Sequence, residues 1–137
     1  MRKNILIKVL ITVFFLSLAI AALITSKQIE KKNAVSQDVG TITIEIVTLD
    51  NKVNKREFNY KEGDSVWSII KENYIVRYSE TQTGVWLYDI DDVKTDFTTT
   101  YLAIYVDDVY SNYTIDGIKI KDGLVVSLRE TKLWEKN

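Results

Sequence analysis

The feature that most constrains this chain is an uncharged apolar run near its N-terminus. No Asp, Glu, Lys or Arg stands between Val9 and Ile24. Extended back across Lys8 to Ile5, the run has about 20 residues, and as a helix it would match the roughly 30 Å hydrocarbon thickness of a bilayer. It is too long and too uniformly apolar to be the buried core helix of a small domain. We therefore expect residues 5–24 to enter the membrane.

The residues around this run resemble a targeting signal. Arg2, Lys3 and Lys8 form a basic tip ahead of the apolar segment, as in Sec-type signals. The small residues that a signal peptidase needs, Ala19 and Ala21, lie inside the run, which favours an uncleaved anchor. The flanking basic charges are nearly balanced and tip towards a cytoplasmic N-terminus. This predicts a single-pass protein of the cytoplasmic membrane with its C-terminal domain outside the cell, or a secreted one if the signal is cleaved.

The rest of the chain is acidic and lacks two chemically important residue types, Cys and His. From Lys27 onward fifteen basic residues face nineteen acidic ones, a net charge of −4. This balance argues against coating a phosphate backbone, so no nucleic-acid partner is expected. The absence of Cys excludes disulfides, thiolate sites and a lipidated cysteine, and the absence of His removes the commonest general base and zinc ligand. A non-enzymatic protein without a cofactor or metal is the expectation.

The charge and hydropathy pattern divides the chain into three segments. Residues 1–26 are the predicted signal-anchor and residues 27–40 a polar linker. Residues 41–137 are the predicted extracytoplasmic domain, long enough for one small core.

The start of this domain predicts a hairpin followed by a helix. Residues 41–49 and 53–60 alternate in polarity, and Asp50-Asn51 supplies a turn between them. Asp64 or Ser65 is a suitable N-cap for a helix with one apolar face, formed by Trp67, Ile70 and Tyr74.

The remaining residues favour strands separated by acidic turns. Strands are predicted at 85–90, 101–106, 118–120 and 125–128, with turns at 91–92, 107–108, 116–117 and 122–123. The predicted fold class is α+β: a β-grasp-like roll with one helix packed on a mixed, mostly antiparallel sheet.

Three blocks of the domain resemble the transcobalamin C-terminal-like domain, a β-grasp family of bacterial surface proteins. They are FNYKEGDSVWSIIKEN at 58–73, GVWLYDIDDV with YLAIYVDDVYSNY at 84–93 and 101–113, and TIDGIKIKDGLVVSL at 114–128. Asp107-Asp108 and Leu124 depart from the family pattern, which has Asn-Gly and a second turn Asp at these places. The resemblance implies a capacity for a small, corrinoid-like ligand. A shorter segment, YKEGDSVWSIIKENYIV, is similar to the first half of a LysM glycan-binding module, although a LysM repeat adds a second helix.

The candidate binding residues are aromatic. Six tryptophan and tyrosine residues crowd into positions 86–113, and the strands at 85–90 and 101–106 carry apolar or aromatic side chains on both faces. One face must meet the helix, so the other can present a strip that suits a flat ligand or a partner surface. The predicted ligand-binding residues are Trp86, Tyr88, Tyr101 and Tyr105, with a polar rim from Asp91, Asp92, Asp107 and Asp108.

The acidic residues have a second interpretation, as a calcium site. Asp89, Asp91, Asp92 and Asp96 invite a calcium site, but the sixth and twelfth positions counted from Asp89 are Lys94 and Thr100, not the Gly and Glu of an EF-hand loop. The leading hypothesis is a membrane-anchored extracytoplasmic binding module. The alternatives are a protein-interaction or transporter-accessory module without a small ligand, and a LysM-like cell-wall glycan binder.

Overall fold

The computed structural model describes residues 2–33 and 37–134, and within the first range the side chains of Asn4 and residues 7–21. The chain divides into two compact units, residues 1–36 and 37–137.

The first unit is a single helix, α1 (Arg2–Asn33). The apolar side chains described in it, at residues 7–21, are exposed on every side, with Leu10 62% and Phe15 65% exposed. The Thr12 and Ser17 hydroxyls donate to backbone carbonyls of their own helix, each at 2.8 Å. Among the described residues, no helix reaches the length and hydropathy that a membrane span requires. The helix also covers much of the stretch predicted as a linker, because KQIEKKN consists mainly of good helix formers.

The second unit begins with a hairpin of β1 (Asp38–Val47) and β2 (Val53–Lys61). Ile42, Ile44 and Ile46 are buried on one face, as the alternation predicted. The turn is closed by Thr48, whose carbonyl accepts from the Asn51 N–H at 2.9 Å. The first strand starts three residues earlier than the predicted domain boundary.

Helix α2 (Val66–Asn73) follows and covers this sheet. Ser65 is its N-cap: its hydroxyl accepts from the Ser68 N–H at 3.0 Å, and the Ser68 hydroxyl accepts from the Ser65 N–H at 2.9 Å. Asp64, the other candidate cap, instead accepts from the Lys61 N–H. The predicted apolar face is confirmed, since Trp67, Ile70 and the C-cap Tyr74 are buried.

A two-stranded sheet stands where the LysM resemblance would require a second helix. The strands β3 (Val76–Thr81) and β4 (Gly84–Ile90) pair as an antiparallel hairpin. The β4 strand was predicted, but β3 was missed because VRYSET buries neither face continuously. The predicted single sheet is therefore two sheets.

The main sheet is completed by β5 (Thr100–Val106), β6 (Val109–Tyr110) and β7 (Leu124–Lys132). Its order is β2-β1-β7-β5-β6, with β1 and β7 parallel and all other neighbours antiparallel. This confirms the α+β, mostly antiparallel prediction. The strand predicted at 118–120 is wrong. A 3₁₀ turn forms at Ile115–Gly117 instead, and the side chains of Ile115, its first residue, and of Ile118, which follows it, are buried in the core.

Candidate functional site

Two strand edges form the walls of a cavity of about 210 Å³. Residues Val85 to Leu87 of β4 stand on one side, and residues Tyr101 to Ile104 of β5 stand on the other. The β5 edge is open from Tyr101 to Ala103, because β6 pairs with Tyr105 and Val106 and the Ser111 N–H donates to the Ile104 carbonyl. A segment at 110–114 closes the third side.

Backbone groups of β5 point towards this cavity. Two hydrogen bonds at the ends of the β5–β7 pairing show which residues of β5 face β7. They run from the Asp107 N–H to the Val125 carbonyl and from the Leu133 N–H to the Thr99 carbonyl. The alternation of an antiparallel ladder then directs the backbone groups of Tyr101 and Ala103 to β7 and those of Leu102 to the opposite edge. In the described part of the chain, no strand pairs with Leu102 on that side. Its N–H and C=O are thus available to a ligand that carries an acceptor or a donor.

Two of the four predicted aromatic residues, Trp86 and Tyr101, lie together in the wall of this cavity. Trp86 is 44% exposed, and its Nε1–H donates to the Thr83 hydroxyl at 3.3 Å. Phe97 lies edge-on to Trp86, with ring centroids 6.3 Å apart. Burial, reinforced by the neighbouring Tyr110, raises the pKa of the Tyr101 phenol, which therefore remains a neutral hydrogen-bonding group.

Tyr88 lies next to this group but outside the cavity lining. Its ring packs edge-on to Phe97 at 4.7 Å, and its hydroxyl is 3.1 Å from that of Ser79. The Arg77 guanidinium lies 4.9 Å from the Tyr88 ring centroid and forms a fork to Asp89 at 2.7 and 2.9 Å. The hydrogen bonds from Arg77 lower the pKa of Asp89. Tyr88 therefore belongs to a structural cluster that supports the aromatic wall.

Tyr105 lies further along β5, also outside the cavity lining. It packs edge-on to Tyr110 at 5.7 Å, and the Arg129 guanidinium lies 4.0 Å from its ring centroid. Arg129 in turn donates to Asp108 at 2.9 Å. Asp108 thus holds the cation that covers Tyr105.

The predicted acidic rim is divided between two places. Asp107 and Asp108 form the β5–β6 turn, both with positive φ (48° and 66°). Asp91 and Asp92 instead line a different cavity, beside the β1–β2 turn. Asp91 accepts from the Ile75 N–H at 2.9 Å and so fastens the start of β3. The structure therefore does not bring Asp91 and Asp92 to the aromatic cavity.

A tight contact fixes the β4 wall. Asp116 Oδ1 accepts from the Val85 N–H at 2.9 Å, and this bond lowers the pKa of Asp116. Gly84 has a φ of +123°, and a Cβ on it would lie 2.1 Å from the Thr114 hydroxyl oxygen. Only glycine allows the 3₁₀ turn to approach β4 this closely.

A wider cleft of about 660 Å³ adjoins the cavity and shares residues 110–113 with it. Lys119 and Lys121 line this cleft. Lys121 pairs with Asp107 at 2.9 Å, whereas Lys119 has no ion-pair partner among residues 2–33 and 37–134. In the same described ranges, no group of three or more acidic side chains is placed to hold a metal ion.

The sequence prediction missed Phe97, which connects Trp86 to Tyr88. Phe97 has a φ of 57° and lies in a turn organised by Asp96, which accepts from three successive N–H groups at 98–100. These bonds, led by that of Thr99, hold the pKa of Asp96 well below its usual range. An Asp two positions ahead of three successive Thr residues was the available signal for this turn.

Comparisons with known proteins show the fold. A proposed metal-binding protein from Ruminococcus gnavus matches with a TM-score of 0.62 at 18% identity, covering 69% of this chain and 99% of that one. Haptocorrin in complex with Cbi matches with a TM-score of 0.54 at 12% identity, covering 68% of this chain and 25% of haptocorrin. The chain thus corresponds to about a quarter of haptocorrin. No family model and no curated protein matches.

Proposed function

We propose that residues 37–137 are a non-catalytic ligand-binding module. The observation that carries this proposal is the cavity between the open edges of β4 and β5, where Trp86 and Tyr101 flank the unpaired backbone groups of Leu102. Aromatic faces provide stacking for a flat molecule, and fixed backbone groups provide direction. The haptocorrin likeness, with its bound Cbi, supports a small ligand at this fold.

The size of the cavity bears on the ligand. Its volume of about 210 Å³ lies below the roughly 300–1,000 Å³ of typical ligand pockets. A molecule as large as a corrinoid would therefore place one edge or one side arm in the cavity and extend into the wider cleft. A compact conjugated ring would fit more fully.

The absence of catalysis is part of the proposal. The chain has no His and no Cys. Two carboxylates near the cavity walls are engaged in structure, Asp116 with the Val85 N–H and Asp107 with the Val125 N–H and Lys121. Hydrogen-bonded in this way, they lack the raised pKa that general acids and bases require.

We further propose that α1 tethers this module to the outer face of the cytoplasmic membrane. Apolar side chains exposed all around a helix have no favourable surroundings in water, whereas lipid accommodates them. Cell fractionation tests the tether. A protein that stays in the membrane pellet after carbonate washing supports it, and release into the wash contradicts it.

A thermal-shift screen of the full chain in detergent micelles tests the binding function, with cobalamin, riboflavin and muropeptides as probes. A saturable shift with a corrinoid or a flavin supports the proposal. A shift only with muropeptides would favour a glycan binder.

A protein-interaction module is the second candidate. Val109 and Tyr113, at the rim of the wider cleft, are 69% and 72% exposed, which suits a protein partner. No shift with any probe, together with co-purification of one membrane protein that Tyr113→Ala abolishes, would favour this candidate.

A further inference from the structure

The two cavities lie side by side and share the lining segment 110–113. The narrow one is aromatic, and the wide one carries Lys119 and Lys121 without any acidic residue in its lining. A molecule that entered both would thus meet a stacking surface at one end and cationic groups at the other.

The acidic residues around the wide cleft do not neutralise Lys119. Asp107 is paired with Lys121, and Asp108 is paired with Arg129. Asp116 and Asp122 each accept a backbone N–H, from Val85 and Thr41. Lys119 therefore lines the cleft without a carboxylate at ion-pair distance among residues 2–33 and 37–134, in a domain that is acidic overall.

Neutral polar groups lie between the two ends. The Ser111 hydroxyl accepts from the Tyr113 N–H at 3.1 Å, which shapes the shared segment. Asn112 lines both cavities, and its side-chain amide has no hydrogen-bond partner in the described parts of the chain. This amide is free to form a hydrogen bond with a carbonyl or hydroxyl group midway along a ligand.

We infer that the ligand is a flat conjugated ring bearing an anionic arm, a carboxylate or a phosphate, with the ring beside Trp86 and Tyr101 and the anion at Lys119. This inference rests on the proposed function and specifies the chemical class of its ligand. Lys121 can bind the same anion while it stays paired with Asp107, because its ammonium group has three N–H donors and Asp107 uses only part of them.

Matched probes test the inference by fluorescence titration of the full chain in detergent micelles. Riboflavin and FMN share one ring system and differ by a phosphate, and 6-hydroxymethylpterin and pterin-6-carboxylate differ by a carboxylate. We expect at least one anionic member to bind roughly threefold to fivefold more tightly than its neutral partner, as an exposed ion pair allows. The pair that shows the difference identifies the anion.

Two variants locate the effect. Lys119→Gln should reduce the difference to less than about twofold, because the exposed ion pair that produces it is lost. Lys61→Gln, which removes an exposed charge at the opposite edge of the sheet, should leave it intact. Equal affinity for charged and neutral probes would overturn the inference while leaving the proposed function standing, provided the binding needs Trp86. Binding of no probe would count against both.

Discussion

Asp116 and Val85, 31 residues apart in sequence, are joined by a hydrogen bond of 2.9 Å from the Val85 N–H to Asp116 Oδ1. This bond ties the 3₁₀ turn to the open edge of β4, and so fixes one wall of the aromatic cavity. It also satisfies a backbone donor that no neighbouring strand reaches.

Replacing Asp116 by Ala should lower the free energy of unfolding by about 1 kcal/mol, because the Val85 N–H loses its acceptor. Asp116→Asn keeps an acceptor oxygen and should lose less. Urea unfolding measures both, and equal losses would show that the bond to Val85 does not matter.

Gly84→Ala should destabilise the domain by about 1–3 kcal/mol, since the residue combines a positive φ with no room for a side chain. Gly63→Ala is the matched control, because Gly63 also has a positive φ (91°) but no atom within 4 Å of its Cβ position. The account predicts a clearly larger loss at Gly84. Similar losses at both positions would mean that the Thr114 contact is not tight.

Stability should fall in acid partly through Asp89. Its pKa is lowered in the folded state by Arg77, so its contribution is fully present above the unfolded pKa of about 3.9 and is lost as the pH falls through the folded pKa. Asp89→Asn should cost about 1–3 kcal/mol at pH 7 and flatten the decline below pH 4. Urea unfolding between about pH 6 and 2 measures this. Asp92→Asn, at an exposed turn position, should leave the profile unchanged.

Much of the fold follows from local patterns in the sequence. Strict alternation predicted β1, and a cap followed by an apolar face predicted α2. Where those patterns were weak, prediction failed: β3 shows no alternation of burial, and β6 has only two residues. Ile118 and Ile120 alternate as in a strand, yet Ile118 is buried by a turn.

The site was predictable only as a collection of aromatic residues. Their density in sequence indicated Trp86 and Tyr101, which do share a cavity. Tyr88 and Tyr105 do not line the cavity. Their rings are instead covered by the guanidinium groups of Arg77 and Arg129, which lie on other strands. Asp91 and Asp107 lie apart for a similar reason. Asp91 follows β4 in the two-stranded sheet and Asp107 follows β5 in the main sheet, and the sequence does not show which strands pair.

The most direct test of the central claim is equilibrium titration of riboflavin into the full chain and into Trp86→Ala, with Trp134→Ala as control. Trp134 is 76% exposed and lies away from the cavity, which makes it a matched tryptophan. Loss of one stacking face is expected to weaken binding by about 1–3 kcal/mol, roughly fivefold or more. The account predicts that loss for Trp86→Ala, with folding retained, and unchanged affinity for Trp134→Ala. Wild-type affinity in a folded Trp86→Ala variant would contradict it.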